Sequence, residues 1–128
     1  MDNDDDGTFS FTGRVRSGAH AVEGILEMLK SQHNAWVHLV ATLAVIAMGL
    51  MLGVSTAEWC FLILVMMAVW VAEALNTAFE FLCDVASPEF HPLVKKSKDV
   101  AAGAVLLSAV GAAAVGGIIF LPYLLSYL

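Results

Sequence analysis

The sequence predicts an all-α membrane protein: an N-terminal amphipathic surface helix followed by three transmembrane helices. Hydrophobic residues make up 59% of the 128-residue chain, whereas an ordinary soluble domain is about half apolar. Charged residues make up only 14%, and the mean hydropathy is +0.80. The apolar residues form three runs of about 20 residues or more, the length that crosses a hydrocarbon core of about 30 Å.

The chain begins with a polar segment, residues 1–13, which is predicted to be a disordered acidic tail because it holds four of the twelve acidic residues. Residues 14–128 then form a single domain, as expected for this length. Within that domain, residues 14–31 place apolar and polar side chains on opposite sides of a helix, which predicts a helix on the membrane surface. No basic patch of the kind that nucleic acid requires is present, so no nucleic-acid partner is expected.

The three transmembrane helices are predicted at about residues 34–54, 57–86 and 97–121. The second begins near Trp59, and an aromatic ring is typical of the membrane interface. The third is rich in alanine and glycine, which allow helices to approach closely. Pro122 is expected to end it, because proline cannot donate a backbone hydrogen bond.

Basic residues predict the orientation, since three precede the first span and three lie between the second and the third. By the positive-inside rule, the N-terminus faces the cytoplasm and the C-terminus lies outside. If Trp59 marks the outer interface, Glu73 lies about 21 Å inward, and Glu80 lies about 10 Å further, near the cytoplasmic surface. The six basic residues are Arg14, Arg16, Lys30, Lys95, Lys96 and Lys98.

Polar residues recur on one face of the second predicted span. Glu73, Asn76, Glu80 and Asp84 are separated by steps of three, four and four residues, which return to the same side of a helix. A charged group in hydrocarbon costs about 2.5–3.5 kcal/mol even on the mildest scale, so an ionisable residue there is functional by default. The face therefore predicts a site. His38, in the first span, is interpreted only as a satisfied polar group near the membrane entrance.

Phosphoryl transfer to a lipid hydroxyl is the chemistry that this face suits best. It needs carboxylates for Mg²⁺, groups that hold phosphates, and a base for the hydroxyl. The deeper Glu73 suits the base, Glu80 suits Mg²⁺, and Asn76 can donate to phosphate oxygens. Lys98 and Asp99 open the third helix on the same side, although a carboxylate at that position is also explained by the helix dipole alone.

The segments that carry these residues resemble the prokaryotic diacylglycerol kinase family, which includes the undecaprenol kinases. The resemblance extends over about residues 14–121. It rests on EALNTAFE at 73–80, Asp84, SPEFHPL at 87–93 and KDVAAGAVL at 98–106. It implies a multi-pass lipid kinase of the bacterial inner membrane, assembled as a homotrimer with active sites shared between subunits. It further implies ATP and Mg²⁺, with a membrane lipid alcohol as acceptor.

The resemblance also implies a role for individual residues. Glu73 corresponds to the catalytic base, and Glu80 and Gln32 correspond to metal ligands. The implied nucleotide and phosphate contacts are Asn76, Glu89, Phe90, His91, Lys98, Asp99, Arg14 and His20.

Three positions depart from the family pattern. Gln32 stands where the family has a second metal-binding glutamate, eight residues after Gly24, so one negative charge is lost. His20 replaces an aromatic residue that contacts the nucleotide. The family's N-terminal arginine aligns near Gly13, and Arg14 beside it is expected to substitute.

The acceptor lipid stays open at this point, because two segments look more like the undecaprenol-kinase branch while diacylglycerol remains a close second. Two other functions compete with a kinase. A small proton-coupled transporter would use Glu73 as its proton carrier but leaves Glu80 and the Lys98–Asp99 pair without a role. A non-catalytic membrane subunit would explain the small-residue packing and none of the carboxylates.

Overall fold

The computed structural model describes residues 9–128, which form four α-helices. The last three helices are long and apolar enough to cross a membrane. The all-α class and the number of helices apolar enough to span are therefore confirmed. Residues 1–8 of the expected acidic tail lie outside the described part, and residues 11–13 of it are helical. The helices are α1 (Phe11–Ser31), α2 (His33–Leu52), α3 (Thr56–Ala86) and α4 (Pro92–Leu125).

A single extended residue, Gln32, separates α1 from α2. Its φ and ψ of -114° and 119° leave the helical region, and its backbone N–H still donates to the Met28 carbonyl, 3.0 Å away. The chain therefore turns within one residue, and Gln32 lies at the corner where α1 meets α2.

The N-terminus of α4 lies five residues before the predicted start at 97. Proline is favoured in the first turn because its missing N–H would have had no helical partner there. The backbone N–H of Leu93 donates to Nδ1 of His91, 3.2 Å away. This cap and Pro92 start the helix early, so Lys95 and Lys96 are helical residues with exposed side chains.

The expectation that Pro122 ends the third span is wrong, because α4 continues to Leu125. A proline this close to the C-terminus removes only one hydrogen bond of the last turns. The next residue also has a partner outside the helix, since the Tyr123 hydroxyl donates to Oε2 of Glu58, 2.6 Å away. That bond holds the end of α4 against the start of α3.

The helices pack most extensively between α3 and α4, and less between α2 and α3. Their buried core lies near the ends that hold the α2–α3 turn and the C-terminus. It consists of Val54, Leu62, Ile119 and Phe120. The polar buried residues lie further along α3, toward the other end of the bundle.

Gly49 on α2 allows the Trp59 ring of α3 to lie directly against the helix backbone. A Cβ atom at Gly49 would lie 2.5 Å from Cη2 of Trp59. We therefore expect Gly49→Ala to displace the ring and to lower the free energy of unfolding by about 1–3 kcal/mol, measured as a lower melting temperature in detergent micelles. Gly117→Ala is the control, because a Cβ there meets nothing within 4 Å; an equal loss in both variants would contradict the explanation.

Candidate functional site

The site is centred on Glu73, whose side chain is 0% exposed in the middle of α3. One carboxyl oxygen, Oε2, lies 3.2 Å from Nε2 of His38 on α2. The other oxygen, Oε1, has no hydrogen-bond partner within residues 9–128. A buried polar atom without a partner is costly, so Oε1 is an acceptor suited to a group that binds beside it.

Asn76 lies one turn along α3 and shares this environment. It is 6% exposed, and its Oδ1 likewise has no partner within the described part of the chain. Asn76 and Glu73 line a cavity of about 250 Å³ between α2, α3 and α4. The polar lining is completed from α2 by Asn34 and His38, and the apolar walls are Val37, Ala102, Val105, Leu106 and Ala109.

The two expected metal ligands lie together where α1, α2 and α3 meet. Nε2 of Gln32 donates to Oε2 of Glu80, 2.8 Å away, and both side chains are half-buried. Rotating the Gln32 amide by half a turn would place its carbonyl oxygen beside the carboxylate. Within residues 9–128 no group of three or more His, Cys, Asp and Glu residues could hold a metal. The pair of oxygen donors fits a cation of the Mg²⁺ type, which takes one or two protein ligands and the rest from phosphates and water.

Lys98 and Asp99 lie in the first turns of α4, and each side chain pairs with a different residue. Nζ of Lys98 lies 2.9 Å from Oδ1 of Asp84, and Nζ of Lys95 lies 2.7 Å from Oδ2 of Asp99. Lys98 is partly exposed and the other three side chains are mostly exposed, and ion pairs that water reaches are weak. A bound phosphate could therefore replace the carboxylate partner of Lys98 at little cost.

The loop residues expected at the nucleotide are exposed between α3 and α4. Phe90 is 79% exposed, and the Glu89 carbonyl accepts a hydrogen bond from the Ser87 hydroxyl at 3.0 Å. His91 is engaged in the cap of α4. The loop thus presents an aromatic ring and a carboxylate beside the N-terminus of α4.

Arg14 and His20 lie on the exposed α1, with local partners only. The Arg14 guanidinium lies 5.8 Å from the centre of the Phe9 ring, and Nδ1 of His20 lies 3.3 Å from Oε2 of Glu23. No hydrogen bond in the described residues joins either of them to Glu73. The structure therefore brings Glu73 together with Asn76, and Glu80 together with Gln32. It does not bring Arg14 or His20 to either pair.

The contact between His38 and Glu73 was not predicted from the sequence. His38 is a satisfied polar group, as interpreted, but the group that satisfies it is Glu73. The signal was available, because an ionisable side chain inside a predicted span is by default part of a site. Asn34, one turn earlier in α2, lines the same cavity.

Comparison with known proteins identifies a family to which this chain is similar. The family model of prokaryotic diacylglycerol kinases matches residues 19–120. The chain is 38% identical over 109 residues to an undecaprenol kinase of Bacillus subtilis, covering 85% of this chain and 89% of that protein. It is 38% identical over 108 residues to a diacylglycerol kinase of a Synechocystis species, covering 84% and 62%. A diacylglycerol kinase of Helicobacter pylori is 36% identical over 69 residues, which is 54% of each protein.

These relatives share one chemistry, since each is named as a kinase of a lipid alcohol. The family model covers most of the chain, including all of the residues around the Glu73 cavity. The chain therefore belongs to the prokaryotic diacylglycerol kinase family, whose members are membrane lipid kinases, phosphotransferases that act on an alcohol.

Proposed function

We propose that the chain transfers the γ-phosphoryl group of ATP to the hydroxyl of a membrane lipid alcohol at the cytoplasmic interface, with Mg²⁺. The unpaired Oε1 of Glu73, a buried residue that lines a largely apolar cavity, carries this proposal. A lipid alcohol fits such a cavity because its hydroxyl can donate to Oε1 while its hydrocarbon contacts the apolar walls.

The catalytic step requires Glu73 as the base. As the acceptor oxygen bonds to the γ-phosphorus, its proton passes to Oε1 of Glu73. The bond from phosphorus to the bridging oxygen breaks, and that electron pair leaves with ADP. Asn76 can donate its amide N–H groups to a phosphate oxygen in the same cavity. Mg²⁺ held by Glu80 and Gln32 would offset the negative charge of the phosphates.

The nucleotide contacts follow from the family resemblance and from exposure. The ammonium group of Lys98 can exchange its exposed carboxylate partner for a phosphate. Phe90 has an exposed ring that can contact the base of the nucleotide. Arg14 and His20 lie on α1 without a contact to Glu73, which fits a site completed by a second subunit. The full proposed set is Asn76, Glu89, Phe90, His91, Lys98, Asp99, Arg14 and His20.

A second cavity supports a lipid acceptor with a long chain. It has a volume of about 270 Å³ and shares His38 and Ala109 with the Glu73 cavity. Along α4 its lining extends from Ala109 to Phe120, which is about 16 Å at 1.5 Å per residue. Nearly all of its lining is apolar, so a hydrocarbon chain bound there would place its hydroxyl end at Glu73.

Undecaprenol is the acceptor that we propose first. The SPEFHPL and KDVAAGAVL segments resemble the undecaprenol-kinase branch, and the Bacillus subtilis relative carries that name. Diacylglycerol is the second candidate, because a relative with that name is equally identical. We further infer a homotrimer in the bacterial inner membrane, with a cytoplasmic N-terminus and an outer C-terminus, as the resemblance and the basic residues imply.

The test uses the full chain in detergent micelles with γ-labelled ATP, Mg²⁺ and equal mole fractions of undecaprenol and diacylglycerol. Label is expected in the extracted lipid, mainly in undecaprenyl phosphate, and light scattering is expected to give three times the 13.6 kDa chain mass. Label mainly in the diacylglycerol product would reverse the order of the two acceptors. No label in either lipid would contradict the kinase proposal. The alternative of a proton-coupled transporter would then be tested by proton uptake into vesicles.

A further inference from the structure

His38 is an ionisable residue of a membrane-spanning helix, and none of the roles discussed above involves it. Its side chain is 14% exposed, and its Nε2 lies 3.2 Å from Oε2 of the fully buried Glu73. The imidazole also lines both the Glu73 cavity and the apolar cavity beside it. It therefore lies at the junction where the polar end of a bound lipid would meet the base.

The Trp70 ring of α3 packs against the His38 imidazole and is itself anchored to Thr42 of α2. The Thr42 hydroxyl donates to the His38 carbonyl, 2.7 Å away. Nε1–H of Trp70 donates to that same hydroxyl oxygen at 3.0 Å. The indole packs edge-on against the imidazole, with ring centres 6.2 Å apart and an angle of 72° between the planes. His38 is thus fixed by a side-chain arrangement that joins α2 to α3.

Resting on the proposed function, we propose that His38 is a positioning residue for the Glu73 base. A neutral imidazole with its proton on Nε2 donates to Oε2 of Glu73. That bond fixes the rotation of the carboxyl plane, so Oε1 keeps a constant direction toward the acceptor hydroxyl. It also gives the buried Oε2 a hydrogen-bond partner, without which its burial would be costly. Proton transfer still goes to Oε1 of Glu73, and His38 gains and loses no proton in the step.

The opposite assignment makes a different prediction. If His38 were itself the base and Glu73 oriented it, no side chain lacking a basic nitrogen could replace the imidazole. Glutamine separates the two assignments, because its amide N–H can reach a carboxylate oxygen but does not accept a proton near neutral pH. Recovery by glutamine therefore supports positioning, and failure of recovery supports direct proton transfer.

The experiment measures kcat and KM of lipid phosphorylation for His38→Ala and His38→Gln. Because a misplacement of about 1 Å can cost about 100-fold, we expect His38→Ala to lower kcat roughly 10-fold and to leave the KM for ATP within about twofold. His38→Gln is expected to return kcat to within about threefold of the unmodified protein. His33→Ala is the matched control, since His33 is an exposed histidine of the same helix, and it is expected to keep full activity.

The outcomes separate this inference from the function on which it rests. An unmodified protein that labels no lipid would overturn both. An active protein that loses activity with Glu73→Gln but keeps it with His38→Ala would overturn positioning alone. Equal inactivity of His38→Ala and His38→Gln, with unchanged melting temperatures, would also overturn it and would make His38 the proton acceptor.

Discussion

Replacing Glu73 with glutamine is expected to lower kcat about 100- to 10,000-fold, the range that a general base contributes. The substitution keeps the size of a side chain that is 0% exposed. Its amide oxygen can accept the hydrogen bond that we propose Nε2 of His38 donates to Oε2, 3.2 Å away in the unmodified protein. Only the ability to take the hydroxyl proton is lost, so KM for ATP and the melting temperature are expected to change little. Initial rates of label transfer at saturating lipid and ATP measure the effect.

Glu58→Gln is the matched control for that experiment. Glu58 lies on the same helix, 15 residues before Glu73, or about 22 Å along the axis. Its Oε2 accepts hydrogen bonds from the Tyr123 hydroxyl at 2.6 Å and from the Ser55 backbone N–H at 2.7 Å, and an amide oxygen can accept both. Activity is expected to stay within about twofold, because no phosphoryl chemistry is placed at that end. If Glu73→Gln kept more than a tenth of the kcat, Glu73 would not be the base.

Hydropathy was enough to predict the helical class and the number of spans, because the length of an apolar run is fixed by the membrane. The ends of the helices depended on individual side-chain contacts that hydropathy does not contain. The cap by His91 starts α4 at Pro92, and the bond from Tyr123 to Glu58 carries the helix past Pro122. The partner of Tyr123 lies on another helix and could not be known before the helices were placed, whereas the His91 cap is local and precedes Pro92 directly.

Helical periodicity predicted which residues of α3 share a face, and the structure adds how that face is divided. Glu73 and Asn76 are buried, Glu80 is half-buried, and Asp84 is exposed. The partner of Glu73 was missed because periodicity within one helix does not define its rotation against another. His38 faces Glu73 only because α2 packs on α3 at one rotation, fixed in part by the bond between Trp70 and Thr42.

Replacing Glu80 with glutamine is expected to raise the Mg²⁺ concentration needed for half activity about 100-fold. Even indirect partners of a metal ligand cost about 10–100-fold, so a direct carboxylate should reach the upper end of that range. The substitution leaves two amides, Gln32 and the new glutamine, in place of the present pair at 2.8 Å. Neither amide carries a charge, so the affinity for a divalent cation falls while the hydrogen bond between the side chains can persist. A Mg²⁺ titration of label transfer measures the change.

Gln32→Glu tests the same pair in the opposite direction. Two carboxylates at the present distance repel each other without a cation, and a cation between them is bound more tightly as ligand charge increases. We expect the Mg²⁺ requirement to fall, and the melting temperature to drop without Mg²⁺ and recover when it is added. The double variant, Gln32→Glu with Glu80→Gln, restores one carboxylate and one amide. It should need less Mg²⁺ than Glu80→Gln alone.

Comparison of the Glu80→Gln and Gln32→Glu variants distinguishes a metal site from a purely structural contact. A hydrogen bond that only joins α3 to the α1–α2 corner would be kept by Glu80→Gln and broken in part by the repulsion in Gln32→Glu. Stability would then fall in Gln32→Glu whether or not Mg²⁺ were present. If the pair binds a metal, the stability of Gln32→Glu is expected to fall only without Mg²⁺. Bound Mg²⁺ removes the repulsion, and the second carboxylate then raises the affinity for the ion. If the Mg²⁺ requirement of Gln32→Glu were unchanged or higher, Gln32 would not occupy the position of the family's metal-binding glutamate.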